Sequence, residues 1–399
     1  MKITFLGDIM CEPPVLKGAK QKDGSFDFNY VFKHALPLLS EADYRIGNLE
    51  TPLAGEEAKY SETFLCFNAP DAYADAVKQA GINMVATSNN HTFDRGYAGM
   101  ERTIRVLDEK GIPHHGSFLP GTERPEAHYA QIGDTKVAII AYTYGTNFKG
   151  SGGQYLVAGD YAGTVNLLRP QSGKTYLPGT WMGKTKFDDL TKKFLNADIR
   201  GKIKRFFGKD CSAPRCDDYL DVEATAPCVE QLQADIRKAK QNADLVLFYP
   251  HMGGQFSHRV GNFSRYIAEK AVEAGADAVI ASHSHVVQAI ERLNGVLCVN
   301  SLGNFNMTPD SGIVSIDNRA GFGLALHLYI ENKKLEKVTF SIIANIWEGK
   351  GIAGCPVDVR CTQVTGKKLQ KLEEDVRYVY QIVTGKPLEG DIFRHEYEI

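Results

Sequence analysis

Residues 83–96 read Asn-Met-Val-Ala-Thr-Ser-Asn-Asn-His-Thr-Phe-Asp-Arg-Gly. The first five of these residues favour a β-strand, and residues 96–110 favour a helix that ends before Gly111. Between the strand and the helix lie the carboxamide of Asn90, the imidazole of His91 and the carboxylate of Asp94. A strand that passes into a helix through polar residues is typical of an α/β protein, in which loops at strand ends form active sites.

The same alternation of strand and helix signals extends over most of the chain. Apart from residues 83–110, we predict strands at 2–6, 44–46, 137–142, 245–249, 278–281 and 296–300, helices at 28–40, 71–80, 228–242, 264–274 and 367–383, and a hairpin of strands 323–330 and 337–343. The continuous apolar strands, such as residues 137–142, favour burial on both faces of a sheet. These patterns predict an α/β architecture.

Composition excludes several functional classes. The chain has 399 residues, 43% of them hydrophobic and 24% charged, as in ordinary globular proteins. Its formal net charge of −2 gives no global field that would attract nucleic acid or an anionic membrane. No stretch reaches the roughly 20 apolar residues of a membrane span, and the N-terminus lacks the pattern of a signal peptide. Eight cysteines without a Cys-x-x-Cys pair fit a reducing compartment, so we predict a cytoplasmic location without a membrane span or a nucleic-acid partner.

Residues 145–223 interrupt the alternation. This segment is rich in glycine, basic and aromatic residues, and it contains a basic run at residues 200–209. The run is either a solvated surface insertion, as most charge runs are, or an arm that attracts anionic substrates. We predict one domain, residues 1–345, that includes this insertion, followed by a C-terminal tail, residues 346–399, whose amphipathic helix packs on the domain.

Five short polar motifs each follow an apolar strand. Loops at the carboxyl ends of strands gather at one edge of an α/β fold, so we expect these motifs to meet at one rim. Each motif alone is weak evidence, and a lone histidine is more often structural than a ligand. Their joint occurrence favours a single site. The motifs are Gly7-Asp8, Gly47-Asn48-Leu49-Glu50, Asn90-His91 with Asp94 and Gly96, His251-Met252-Gly253, and Ser282-His283-Ser284-His285.

The residue types in these motifs are those of a metal centre. A mixture of carboxylate, amide oxygen and imidazole suits Mn²⁺, Fe²⁺ or Zn²⁺ better than Ca²⁺ or copper(I). Two such ions about 3.5–4 Å apart would hold a phosphoryl group and lower the pKa of a bound water. A carboxylate between the ions is needed to offset their repulsion, and Glu50 is the best candidate. We therefore predict divalent metal ions as cofactors, two in number.

In their order along the chain, these motifs resemble the poly-γ-glutamate capsule-synthesis (CapA-type) family, which is similar in turn to the calcineurin-like metallophosphoesterases. The segments Ser301-Leu302-Gly303-Asn304-Phe305 and Tyr142-Thr143-Tyr144-Gly145-Thr146-Asn147 also resemble signatures of the family. The resemblance covers roughly residues 1–150 and 225–330. It implies a four-layer α-β-β-α sandwich of two mixed sheets, with the motif loops at one rim.

The resemblance also implies roles for individual residues. Asp8 and His285 would bind one metal, and Asn90, His251 and His283 would bind the second. Glu50 would lie between the two. His91 would be the general acid that protonates the leaving oxygen, or a group that stabilises the charge of the transition state, and Asp94 would orient its imidazole and raise its pKa.

The chain departs from the metallophosphoesterase pattern at two places. Met10 stands where those enzymes carry a histidine, and Asn48 stands where they carry an aspartate. The first metal therefore loses an imidazole ligand, which leaves a mononuclear site or a labile first metal as alternatives. We predict four residues that bind substrate. For one of them, Arg95, an ion pair with Asp94 is an alternative to a contact with an anionic substrate. These residues are Asn48, Arg95, His115 and Asn304.

Three functional hypotheses follow. The first is metal-dependent hydrolysis of a phosphoester or of a related linkage in an anionic small molecule or polymer. The second is a non-catalytic, polymer-binding component of capsule or polyglutamate synthesis or export. The third is hydrolysis of γ-glutamyl amide bonds with the same metals. The sequence carries no indication of the oligomeric state.

Overall fold

Two mixed β-sheets dominate the computed structural model, which describes residues 1–62, 66–148, 153–154, 157–171, 215–309 and 319–399. The predicted basic run at residues 200–209 lies outside these described residues. In chain order the strands are β1 (Lys2–Ile9), β2 (Tyr44–Leu49), β3 (Met84–Ala86), β4 (His114–His115), β5 (His128–Ile132), β6 (Thr135–Thr143), β7 (Asn147–Phe148), β8 (Gly153–Gln154), β9 (Leu245–Met252), β10 (Ala278–Ile280), β11 (Ser282–His283), β12 (Ile290–Leu293), β13 (Val296–Val299), β14 (Asn304–Asn306), β15 (Phe322–Glu331), β16 (Lys334–Glu348), β17 (Gly351–Pro356) and β18 (Tyr397–Glu398).

The helices follow the strands in the alternation that the sequence predicts. In chain order they are α1 (Pro13–Ala19), α2 (Leu36–Ser40), α3 (Ala72–Gln79), α4 (Gly96–Glu109), α5 (Arg215–Asp218), α6 (Val222–Asn242), α7 (Asn262–Ala274), α8 (Val357–Arg360) and α9 (Lys367–Thr384). Short 3₁₀ turns lie at Asn29–Val31, Glu56–Ala58, Gly159–Tyr161 and Cys361–Gln363. Within the described ranges, no helix is both long enough and apolar enough to cross a membrane.

Both sheets combine parallel and antiparallel pairs. The first has the order β17-β16-β15-β1-β2-β3-β4, with β14 added beside β1 and β18 beside β16. Strands β1 to β4 are parallel, and β15 to β17 are antiparallel. The second has the order β12-β13-β10-β9-β6-β5 with β11 beside β9, and only its edge strands β5 and β12 are antiparallel to their neighbours.

Apolar side chains on both faces of each sheet produce four layers. On β1, Phe5 points into the core between the sheets and Leu6 into the core beneath helices α1 and α3. On β9, Leu247 faces the first of these cores and Phe248 faces the core beneath α6 and α7. This alternation explains why the strands are apolar without interruption. The predicted α-β-β-α sandwich of two mixed sheets is confirmed.

Two predicted helices differ from the structure at their beginnings. The helix expected over residues 28–40 is a 3₁₀ turn followed by the short α2, because Pro37 has no N–H and its ring would clash with a preceding carbonyl in a continuous helix. The helix expected from residue 228 begins earlier, where the Asp221 carboxylate accepts a hydrogen bond from Ala224 N. The hairpin is confirmed: Asn332 and Lys333 have φ values of 49° and 64°, as its tight turn requires.

The predicted division at residues 345 and 346 stays a prediction. Strand β16 extends across this position and pairs with β17 on one side. Helix α9 contributes Leu372, Val376 and Val379 to the core between the sheets. The segment that begins at residue 346 is therefore in contact with both the first sheet and the central core.

An ion-pair network joins this C-terminal segment to the first strand. Lys2 is 6% exposed, and its Nζ lies 2.6 Å from Glu396 Oε1 and 3.1 Å from Glu41 Oε2. Tyr329 and Thr339 also donate hydrogen bonds to the Glu396 carboxylate. Burial alone would raise the pKa of Glu396, but these donors outweigh it and lower the pKa to about 2.

We expect Glu396→Gln to destabilise the protein by about 1.5–3 kcal/mol at pH 7, the usual contribution of a hydrogen bond to a charged group. The folded-state pKa of Glu396 is about 2 and its ordinary value is 4.5, so its contribution is complete above pH 4.5 and is lost as the pH falls towards 2. Urea unfolding at several pH values measures this difference. The control is Glu398→Gln, since Glu398 is 79% exposed and pairs with Lys337 at the surface. An equal loss in both variants would contradict the prediction.

Candidate metal centre

The eight residues predicted as metal ligands or catalytic groups lie at one rim, where strands of both sheets end. Asp8 is on β1, Glu50 follows β2, and Asn90 and His91 lie between β3 and α4. His251 is on β9, and His283 is on β11 with His285 two residues later. Parallel pairing aligns these positions: Asp8 is the partner of Asn48, and Ser282 is the partner of His251. The eight residues are 0–5% exposed, so the strand register brings them to a site from which water is largely excluded.

One group of donor atoms forms around His251. Its Nε2 lies 2.7 Å from Asn90 Oδ1, 3.0 Å from His283 Nδ1 and 3.5 Å from Glu50 Oε1. These are amide oxygen, imidazole and carboxylate donors from three different strand ends. Such a set suits a divalent transition metal.

A second group forms around Asp8 and His285. His285 Nδ1 lies 3.6 Å from Asp8 Oδ2, and His285 Nε2 lies 3.8 Å from Glu50 Oε1. The donor atoms of Glu50, His283 and His285 lie within 4.8 Å of one another, as do those of Asp8, Glu50 and His251. Glu50 is therefore common to both groups.

Glu50 differs from the other residues of the site because no donor in the described ranges stabilises its carboxylate. It is fully buried, and neither of its carboxylate oxygens has a hydrogen-bond partner among the described residues. Burial, together with the nearby Asp8, raises the pKa of Glu50 to about 8. A buried carboxylate without a partner is costly unless a cation compensates for it. The donor set therefore fits a bound divalent ion.

His251 and His283 have the neutral form that metal binding requires. Burial lowers the pKa of His251 to about 4, and burial with the neighbouring His251 and His285 lowers that of His283 well below its usual range. Both imidazoles are thus neutral at pH 7, with a lone pair available to an ion.

His91 has a different environment from the other histidines. Its Nδ1 lies 2.6 Å from Asp94 Oδ2, and its Nε2 lies 3.8 Å from Glu50 Oε1. Burial alone would lower its pKa, but Asp94, Glu50 and Asp8 outweigh burial and raise it. Phe67 N donates to Asp94 Oδ2, and the Phe67 ring lies 4.4 Å from the His91 ring. Asp94 and Phe67 thus fix the imidazole with Nε2 towards the metal-binding groups.

Four predicted substrate-binding residues have other contacts in the structure. Asn48 Nδ2 donates to Asp8 Oδ1 and lies 3.1 Å from His251 Nδ1. Arg95 Nη1 lies against Cys66 Sγ at 2.7 Å, and no ion pair joins Arg95 to Asp94 in the described part of the chain. A substrate contact by either residue stays a prediction.

His115 and Asn304 also contact other protein groups. His115 is fully buried, its Nδ1 accepts from Ala141 N at 3.1 Å, and its Nε2 lies 3.3 Å from Pro125 O, so neither nitrogen is directed at the metal-binding groups. Asn304 Oδ1 lies 2.9 Å from His285 Nδ1. Their predicted substrate contacts are likewise untested.

Sequence reasoning missed three supporting residues. Asn89 donates to Asn48 Oδ1 and to Leu49 O, and its own Oδ1 accepts from His91 N. Ser282 Oγ lies 3.3 Å from His251 Nδ1. Asn89 and Ser282 lie inside quoted motifs and could have been found by their position. Phe67 has no local signal, because it is 27 residues from Asp94 in the sequence.

The backbone around the His-Ser-His motif is strained. His283 and His285 have φ values of 103° and 55°, which residues other than glycine rarely adopt. Gly253 has φ of 132°, and a Cβ there would collide with Ser284 Oγ. Strain of this kind is typical of functional sites. It explains how two histidines at alternate positions of an extended segment both reach the site.

Met10, which replaces the usual histidine, lies in a separate apolar cluster beside the site. The cluster leaves the Asp8 and His285 group with fewer donors than the His251 group. Its members are Met10, Phe67, Phe256, Val286, Met307 and Ala320.

A family model described as bacterial capsule synthesis protein PGA_cap matches residues 2–308. The chain belongs to this family. The matched range contains every motif residue of the site, and the family resemblance seen in the sequence is confirmed.

Two capsule proteins illustrate the relationship within the PGA_cap family. The capsule biosynthesis protein CapA of Bacillus anthracis is 24% identical over 357 residues, which are 86% of this chain and 71% of that protein. The PGA biosynthesis protein CapA of Bacillus subtilis (strain 168) is 22% identical over 322 residues, 79% of this chain and 67% of that protein. The chain therefore spans about two thirds of the length of these relatives.

Among solved structures, this PGA_cap family member aligns with a 5'-nucleotidase from Candida albicans SC5314. The alignment has a TM-score of 0.41 and 9% sequence identity, and it covers 95% of this chain and 57% of that chain. A likeness at this level does not bear on activity.

The Glu50 carboxylate generates a prediction about the metal-free protein. With a folded-state pKa of about 8 against the usual 4.5, the folded protein holds a proton that the unfolded chain releases, so stability falls as the pH rises from 4.5 to 8. Glu50→Gln removes this dependence, and we expect it to stabilise the chelator-treated protein by about 1–3 kcal/mol at pH 7. The difference in unfolding free energy between the variant and the wild type should vanish near pH 4.5.

Urea unfolding of both proteins between pH 4.5 and 8, with chelator present, measures the effect. The same variant should bind divalent metal more weakly than the wild type. A Glu50→Gln protein that is less stable than the wild type at pH 7 would show that Glu50 has a compensating partner without metal.

Proposed function

We propose that this protein is a divalent-metal-dependent hydrolase that cleaves a phosphoester or a related linkage in an anionic substrate. The observation that carries this proposal is Glu50. It is a fully buried carboxylate without a hydrogen-bond partner in the described chain, and it lies within 3.8 Å of imidazole nitrogens of His251, His285 and His91.

We infer two ions because Glu50 belongs to two clusters of donor atoms, one with Asp8 and His251 and one with His283 and His285. The family resemblance divides the same donors between the two ions. The group of Asn90, His251 and His283 with Glu50 offers four donors, and the group of Asp8 and His285 with Glu50 offers three. We infer that the first group binds its ion more tightly. Divalent ions, when bound, act as Lewis acids on a substrate oxygen and lower the pKa of water.

His91 supplies the proton in the proposed reaction. Its Nδ1 is held by Asp94, which leaves Nε2 as the nitrogen that faces the site. Asp94 raises the pKa of the imidazole and so favours its protonated form, which suits His91 to donate a proton from Nε2 to a leaving oxygen. The Phe67 ring packs against the imidazole at 4.4 Å between centroids, and His91 is 5% exposed.

The names of the relatives bear on the substrate. Capsule and PGA biosynthesis proteins point to an anionic polymer, for which a phosphoester and a γ-glutamyl amide are both candidate linkages. Parallel assays on phosphoesters and γ-glutamyl peptides distinguish the two. Metal binding without turnover of either would favour the polymer-binding hypothesis. The cytoplasmic location stays a prediction from the sequence.

Metal content is the first test. We expect up to two equivalents of Mn, Fe or Zn by elemental analysis after reconstitution, one of them retained through dialysis. His283→Ala should lose the retained ion because it removes a donor of the four-donor group. The matched control is His327→Asn, since His327 is buried and its two ring nitrogens bond the hydroxyls of Thr4 and Ser341, away from the metal-binding groups. Absence of metal from the reconstituted wild type would refute the proposal.

The proposed acid gives a second test. We expect His91→Ala to lower kcat by about 10²–10⁴-fold while the metal content stays unchanged, as for loss of a general acid. Asp94→Asn should lower kcat less, because the imidazole remains but loses the largest of the contributions that raise its pKa. Steady-state kinetics with metal analysis of the same samples measures both. A His91→Ala protein with wild-type kcat would exclude His91 as the acid.

A further inference from the structure

We propose that Asn304 is a positioning residue that fixes the tautomer of His285, rather than a group that contacts substrate. This inference deepens the proposed function and rests on the metal centre described above. It starts from a side chain that is fully buried and that contacts one of the proposed ligands directly.

The orientation of the Asn304 carboxamide is determined by its neighbours. Its Nδ2 lies 2.8 Å from His285 O, 3.1 Å from Ala320 O and 3.1 Å from Met307 Sδ. All three atoms accept hydrogen bonds and none donates one, so this end of the carboxamide must be the amide nitrogen. The opposite end, Oδ1, therefore faces His285 Nδ1 at 2.9 Å.

A fixed acceptor beside Nδ1 determines where the imidazole carries its proton. Oδ1 of Asn304 only accepts, so His285 donates from Nδ1 and its Nε2 keeps the lone pair. Nε2 is the nitrogen that faces Glu50 Oε1, at 3.8 Å. Metal-binding histidines characteristically donate their second ring nitrogen to such a partner. Asn304 thus presents His285 in the form that binds an ion.

Asp8 explains why a neutral acceptor is needed. Asp8 and Asn304 are register partners on the parallel strands β1 and β14, and Asp8 Oδ2 lies 3.6 Å from the same Nδ1. Without Asn304, Asp8 Oδ2 would be an alternative acceptor for the Nδ1 proton. This oxygen already accepts from His283 N, so a further hydrogen bond would reduce what the Asp8 carboxylate can offer to an ion. Asn304 therefore leaves the charge of Asp8 available.

The same carboxamide also holds the backbone of His285. Asn304 Nδ2 donates to the main-chain oxygen of His285, and Asn304 Oδ1 contacts the His285 ring. One side chain therefore bonds both the backbone and the ring of His285. His285 has φ of 55°, a conformation that needs such support. Ring orientation and backbone conformation are therefore fixed together.

The test is the tautomer of His285 in chelator-treated protein, measured by ¹⁵N NMR of the imidazole at a pH where the ring is neutral. We expect the Nδ1–H form in the wild type and loss of this form in Asn304→Ala. Asn304→Asp keeps an acceptor opposite Nδ1 and should retain the Nδ1–H form, at a cost in stability because its second oxygen would face only acceptors. The control is Asn166→Ala, because Asn166 is a buried carboxamide whose side chain bonds Ala141 O and Arg124 Nε, away from Asn304 and His285.

Metal affinity provides the second readout, by competition with a chelator. We expect Asn304→Ala to weaken binding of the less tightly held ion by about 10–100-fold, the usual effect of losing such a partner. Asn166→Ala should leave the affinity unchanged.

An Nε2–H form in the wild type, or an unchanged tautomer in Asn304→Ala, overturns the inference, and the wild-type spectrum decides this even if the variant does not fold. Wild-type affinity in a folded Asn304→Ala protein also overturns it. A wild type that shows the Nδ1–H form but binds no metal would refute the proposed function and leave the positioning role intact.

Discussion

Two carboxylates, Asp8 and Glu50, are held where water is nearly excluded, and the organisation of the site follows from this constraint. Asp8 is stabilised by donors from both sheets: the Asn48 amide and the backbone N–H of His283. Glu50 has no such donor among the described residues. A buried negative charge without a hydrogen-bond donor persists in a folded protein when a cation compensates for it. The neutral histidines, the strained backbone and the supporting amides all serve to surround these two groups.

The fold meets this constraint by joining two sheets at one rim. Parallel strands of the first sheet supply Asp8 and Glu50, and those of the second supply His251 and His283. The Tyr249 hydroxyl of the second sheet donates to Leu6 O of the first, just below the site. The cores on both sides of each sheet keep the strand ends in register, so the site depends on packing well outside it.

The motifs could be predicted from the sequence because each follows an apolar strand, and the sheets could be predicted because the strands are buried on both faces. The supporting contacts could not. Asn304 reaches His285 only through the pairing of β14 with β1, and Phe67 reaches His91 from a distant loop. His115 follows Gly111 and Pro113, which indicate a loop. In the structure it lies on β4 of the first sheet and is buried beside Ala141 of the second sheet. The sequence contains Pro37, which interrupts a helix, but the apolar periodicity of residues 28–40 favours one continuous helix.

Donors on opposite sheets have a consequence for folding. An ion held between His251 on one sheet and Glu50 on the other would be a crosslink between two layers that are otherwise joined by apolar packing and a few hydrogen bonds. The unfolded chain has no such paired donors, so ion binding and folding would be thermodynamically linked, with about 2.7 kcal/mol gained at a free-ion concentration of 100 times Kd. The melting temperature of the protein would then report the free-metal concentration of its surroundings.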